Sequence, residues 1–135
     1  VSTGKAFRAA VNTALQDWAI APGAVPIFFE NGPQPDLANV GDVWVDTEVR
    51  FYGASTAALG ERPMGRATGA LVVRVFVREG EGTGRADDLM DQLEELFRPR
   101  RLGGARFDFP ERLTPTQHLG WHKVGILAPF SLDRA

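Results

Sequence analysis

Gly69-Ala70-Leu71-Val72-Val73-Arg74-Val75-Phe76-Val77-Arg78, then Glu79-Gly80-Glu81-Gly82-Thr83-Gly84, then Arg85 to Arg98: this stretch decides the fold. Its opening part is rich in β-branched and aromatic residues, with Leu71, Val73, Val75 and Val77 alternating onto one side, which predicts a strand with a fully apolar face. Beyond the glycine-dense turn, Ala86, Leu89, Met90, Leu93, Leu96 and Phe97 recur at helical spacing and form one stripe. The period switches from two to 3.6 within a few residues. An apolar strand face followed at once by an apolar helix stripe predicts a helix laid across a sheet, since each hides the other's oily side.

Working outward, Thr3 or Ser2 is placed to cap a first helix in which Phe7, Val11, Ala14, Leu15 and Trp18 share a face, ending before Ala21-Pro22-Gly23. Val25 to Glu30 reads as a short aromatic strand, with Pro26 marking an edge or a strand start, and Asn31-Gly32-Pro33 opens a polar loop to Val40. From Asp42 the pattern alternates again, Val43, Val45, Thr47, Val49 and Phe51 against a wetter face of Trp44, Asp46, Glu48, Arg50 and Tyr52. The stretch from Gly53 to Thr68 offers little to pack and is too long for a tight turn; it reads as a flexible arm, either a contact element or a mobile tip. On the C-terminal side, Arg98-Pro99-Arg100-Arg101 supplies a helix stop with positive charge. Ala105 to Phe109 reads as a short strand, Pro110 to Gly120 as a loop, and Gly120 to Phe130 as a last strand with Val124, Ile126, Ala128 and Phe130 on one face, before a polar tail. The reading is one domain over residues 1–135.

The composition, 44% hydrophobic and 24% charged over 135 residues, is that of an ordinary globular chain with room for one core. Zero cysteines rule out disulfides, thiolate zinc sites and thiol catalysis. A formal net charge of -2 gives no general attraction to nucleic acid. No apolar run approaches the roughly 18 residues of a membrane span, and no basic-then-apolar leader is present, so the expectation is a soluble, unexported chain with no membrane partner.

The residues that resemble chemical motifs have structural explanations. Gly80, Gly82 and Gly84 form G-x-G-x-G, which fits neither phosphate-binding glycine pattern, and Glu79 and Glu81 would repel an anion. His118 and His122 lie four apart in a loop leading into a strand, where that spacing does not converge ligands; Glu111 is the nearest candidate third group. Asp87, Asp88, Asp91, Glu94 and Glu95 lie opposite the apolar stripe, as a solvated face or one that meets a basic partner. No serine sits in a G-x-S-x-G elbow. Arg98, Arg100, Arg101 and Arg106 make the one local basic concentration, with Arg62 and Arg66 in the arm.

The order of these segments carries a resemblance. An N-terminal helix ending near Trp18, an apolar strand ending in Phe29-Glu30-Asn31, the G-x-L-x-V-x-V-F pattern from Gly69 to Phe76 followed by G-x-G, a helix ending in Leu96-Phe97, and a late Trp121 strand closing with Phe130 together resemble the tail terminator proteins of long-tailed bacteriophages and gene transfer agents. Gly53 to Thr68 has no match in that pattern. The resemblance implies an α/β (α+β) fold, a single mixed, mainly antiparallel sheet with two main helices packed on it. It further implies a non-enzymatic, cofactor-free subunit of a hexameric ring at the tail–neck junction of the virion, assembled in the host cytoplasm. Such a ring caps the finished tail tube, stops its polymerisation, offers a surface to the head-completion or connector protein, and lets DNA through without sequence-specific binding. The family supplies no reactive residues to carry over, so the partner-contact candidates rest on sequence character: Glu30, Asn31, Gly53, Leu59, Arg62, Met64, Arg66, Asp87, Asp91, Glu94, Arg100 and Arg101. Another neck or minor tail component, a small ligand-binding or enzymatic α/β domain, and a ferredoxin-like nucleic-acid module are the competing readings.

Overall fold

The computed structural model describes residues 3–19, 25–58, 64–80 and 82–134. Helix α1 (Thr3–Ala19) leads to the two-residue strand β1 (Ile27–Phe28), then to the long strands β2 (Val43–Ala58) and β3 (Met64–Arg78), and to helix α2 (Gly84–Leu96). Four short strands follow, β4 (Arg101–Leu102), β5 (Ala105–Phe107), β6 (Glu111–Arg112) and β7 (Thr116–His118), before the long β8 (Trp121–Arg134). All join one eight-stranded sheet in the order β1-β2-β3-β8-β5-β4, with β6 and β7 also paired to β8. The pairing is antiparallel except for β1, which runs parallel to β2 at the edge, as Pro26 requires. The expected α+β class, with two helices on one mainly antiparallel sheet, is the one observed.

The core forms on the face predicted from the strand alternation. Leu71, Val73, Val75 and Val77 from β3 and Ile126, Ala128 and Phe130 from β8 are buried, beneath Phe7, Val11 and Leu15 of α1 and Ala86, Leu89, Met90 and Leu93 of α2. Burying side chains of this size contributes about 1.5–3 kcal/mol each, which is why the helices stay seated. At the far end of this layer Phe7, Phe107 and Phe130 interlock, with ring centroids 4.6 Å apart for Phe7–Phe130 and 5.8 Å for Phe107–Phe130. Gly103, at φ +60 in the β4–β5 turn, lies so close to α1 that a Cβ there would sit 2.9 Å from the Ala10 side chain.

Three expectations are corrected. Gly53 to Thr68 does not form a structureless arm: β2 continues to Ala58 and β3 starts at Met64, paired from Gly53↔Thr68 to Ala58↔Met64, with Leu59–Pro63 outside the described residues. The small side chains hide the strand because they carry no apolar alternation, yet backbone hydrogen bonds need none. The wetter face of β2 is not wet at its start. Trp44 is buried there, stacked on Phe76 with centroids 3.9 Å apart and edge-on to Trp121, in a second small cluster on the face opposite the helices. Finally, Pro110 to Gly120 holds β6 and β7, because the long edge of β8 has backbone groups free to pair and takes up even short polar segments. Leu96 and Ala14, expected in the apolar stripes, are half-buried, and Ser2 lies outside the described residues.

Candidate functional site

Three surfaces gather the residues singled out in the sequence. The first is the turn after β1. Asn31 adopts φ 57, a left-handed turn conformation that asparagine tolerates. The Glu30 carboxylate accepts a hydrogen bond from the Val49 backbone N–H at 3.0 Å and one from Arg8 at 2.9 Å, tying helix α1 and the β1 turn to β2. Partial burial pushes its pKa up, but the hydrogen bonds from Val49 and Arg8, with the Arg8 and Arg74 charges, outweigh this and hold it below the ordinary value. Glu30 is therefore committed within the subunit. Beside it lies a groove of about 210 Å³, bordered by Asn31, Trp44, Asp46, Glu48 and Arg74. Arg74 donates to Asp46 at 2.7 Å and to Glu48 at 3.4 Å, so the charged lining satisfies itself. The Trp44 Nε1 is buried with no hydrogen-bond partner among the described residues, the interaction sacrificed to stack the indole on Phe76.

The second surface is the outer face of α2. Gly80 and Gly82, at φ 86 and 81, turn the chain from β3 into the helix, whose Thr83 N-cap makes no side-chain capping bond. Asp91 and Glu94 are exposed or half-exposed as expected, but they are not free: Arg112 of β6 donates to Asp91 at 2.7 Å and also to Glu94. Arg98 pairs with Glu95 at 2.7 Å. Asp87 and Asp88 make no ion pair with a described residue. The helix stop works as its residues promised, with Arg100 donating to the Leu96 carbonyl at 3.2 Å.

The third surface is the far end of the long strands. Gly53 is exposed and pairs with Thr68, at a register shift between Phe51 and Gly53. Arg66 grips Asp133 with two hydrogen bonds, 2.7 and 3.1 Å. Those bonds, with the charges of Arg66 and, further off, Arg101, hold the Asp133 carboxyl below its ordinary value. Arg101 stands across from Arg106, and Arg106 across from Ser131. Leu59 and Arg62 lie outside the described residues, as does the side chain of Met64.

The described candidates thus fall on separate surfaces rather than in one site. Arg106, Arg112, Ser131 and Asp133 were absent from them. The alternation of Phe130 and Leu132 through the tail, with Ser131 and Asp133 between, carried the signal that β8 continues. Among the described residues no group of three His, Cys, Asp or Glu side chains could hold a metal, no helix is long and apolar enough to cross a membrane, and Thr47 is the one buried polar side chain.

No protein-family model matches the chain, and no curated protein matches it. A solved structure is similar to it with a TM-score of 0.72 at 24% identity, over 98% of this chain and 95% of that one. The likeness shows that fold and runs through nearly the whole of both chains.

Proposed function

We propose that this chain is a tail-terminator-like structural subunit, which assembles into a ring on the end of a phage-type tail tube, stops the tube's growth and presents a surface to the connector. The observation that supports this most is where the structure spends its residues. The paired strands β2, β3 and β8 run on in one ladder to Ala58, Met64 and Arg134, keeping Ala67 and Leu132 in the core and carrying the Arg66–Asp133 ion pair on the face opposite the helices. The helix-covered face, by contrast, offers no converging polar groups among the described residues beyond Thr47. An enzyme or ligand-binding domain gathers its polar groups in a recess of drug-like size under its cover; an assembly subunit needs a rigid ladder with an exposed face, which supports the second reading. The segment order from the first helix to the Trp121 strand supports the same reading.

The test shortens the ladder. Replacing residues 55–66 by Asn-Gly leaves the partners Ala54 and Ala67 facing each other across a two-residue hairpin turn. The expected outcome is a folded chain, by circular dichroism and thermal melting, that no longer forms rings in native mass spectrometry or on purified tail tubes. A shortened chain that caps tubes as the full one does would overturn the proposal. Imaging of tails separates the neighbouring role of a head-closure component, which would sit one ring away from the tube end.

A further inference from the structure

Among the described residues, the far end of the long strands carries an unbalanced charge. Arg66, Ser131 and Asp133 alternate with the buried Ala67 and Leu132, and Arg106 sits between the buried Ala105 and Phe107, so all four point to the sheet face opposite the helices. With Arg101 and Gly104 they enclose a polar recess of about 90 Å³. Asp133 is the one carboxylate there among the described residues, and Arg66 occupies both of its oxygens. Arg101 and Arg106 are left directly opposite each other across the β4–β5 ladder, and neither makes an ion pair with a described residue. Like charges in that position destabilise a sheet. The recess is far smaller than a small-molecule pocket of roughly 300 Å³ or more; it fits a carboxylate group.

The same chain carries the complement. On α2, Arg112 and Arg98 neutralise Asp91, Glu94 and Glu95, while Asp87 and Asp88 stay exposed and make no ion pair with a described residue. We propose that Arg101 and Arg106 of one copy receive Asp87 and Asp88 of the next copy, a head-to-tail contact between two different patches. Such heterologous contacts close into a ring when the rotation between copies allows. This inference rests on the ring reading above and names the charged contact within it.

Charge reversal tests it. Arg101→Glu with Arg106→Glu, and separately Asp87→Arg with Asp88→Arg, should each weaken assembly about tenfold or more, as removal of close interfacial charge pairs does. An equimolar mixture of the two variants should recover it, because alternating copies then match at every junction. The neutral Arg106→Gln gives an intermediate loss of assembly with a melting temperature no lower than the wild type's, since it relieves the Arg101 repulsion, and wild-type assembly weakens as sodium chloride rises. Reversed variants that form rings like the wild type overturn the contact while leaving the ring reading standing, as does a mixture that stays dissociated although both variants melt normally. If the arginine variants assemble normally but lose binding to inorganic phosphate or a short DNA duplex, the patch serves phosphate and the contact is overturned. A wild-type chain that forms no ring, in solution or on tubes, overturns both readings.

Discussion

The same three strands make two different objects. On the helix side, the row Val45, Val75 and Val124 is buried under α1 and α2, and Ala67 and Leu132 stay in the core further along; on the opposite side, Arg66 and Asp133 make a surface ion pair. Both sets belong to one continuous ladder, so the backbone is satisfied equally in each. What differs is the cover. The lesson is that one ladder can bury one face throughout while the other face, at its far end, is free to spend its side chains on solvent or a partner. The join lies at Phe51 to Gly53, where the register shifts and Gly69 faces Phe51 and Phe130.

The sharpest way to break that arrangement is at the join. A Cβ on Gly69 would overlap the Arg50 carbonyl oxygen and lie 2.9 Å from the Phe130 ring, and the backbone atom cannot swing aside as a flexible side chain would. The Phe130 ring, 4.6 Å from Phe7, is wedged into the space that the missing side chain leaves. Gly69→Ala should therefore cost about 3 kcal/mol, the upper end of overpacking penalties, read as a fall in the urea midpoint. A variant as stable as the wild type would mean that the two halves are not locked at Gly69.

The covered half was legible in the sequence and the open half was not, for one physical reason. Where a strand must bury one face, Leu71, Val73, Val75 and Val77 announce it; where the sequence carries no apolar alternation, as at Ala54 to Ala58 or Glu111–Arg112, only the partner's free backbone dictates pairing, and that leaves no mark on the side chains. Trp44 failed for a related cause: alternation told the two faces apart but could not tell that Phe76 and Trp121 would meet it on the second one. Among the contact candidates, the acidic face of α2 was readable from its helical spacing. The intramolecular claim of Arg112 on Asp91 and Glu94 depends on β6, which was read as loop.

Arg112 provides a smaller test, confined to the covered half. Its guanidinium bridges β6 to α2 and is 45% exposed, so solvent screens the pairs. Arg112→Ala should cost about 0.5–1 kcal/mol, as exposed ion pairs do, and speed amide exchange in the exposed turns of α2 while leaving assembly on tube ends unchanged. Lost assembly with normal stability would instead make Arg112 part of the partner surface.

The smallest effect falls at Glu30, which marks the boundary on the other edge of the sheet. β1 pairs with β2 at Val45 and Asp46, and the Glu30 carboxylate takes the Val49 N–H; past that point the outer edge of β2 has no strand partner among the described residues. Glu30 thus closes the paired part of the edge. Its pKa is lower folded than the ordinary 4.5, so its contribution is present above that value and is lost as pH falls through the folded pKa. Glu30→Gln keeps an acceptor for Val49 but loses the charge facing Arg8, a pair whose side chains are 43% and 41% exposed. After allowance for screening, the variant should be less stable by about 0.5 kcal/mol at pH 7. That gap should close at an acid pH below the folded pKa, where the wild-type carboxylate has taken up its proton and can no longer outperform the amide. A gap of the same size at both pH values would show that Glu30 acts there by shape, and the boundary between the paired and open edge would then owe nothing to its charge.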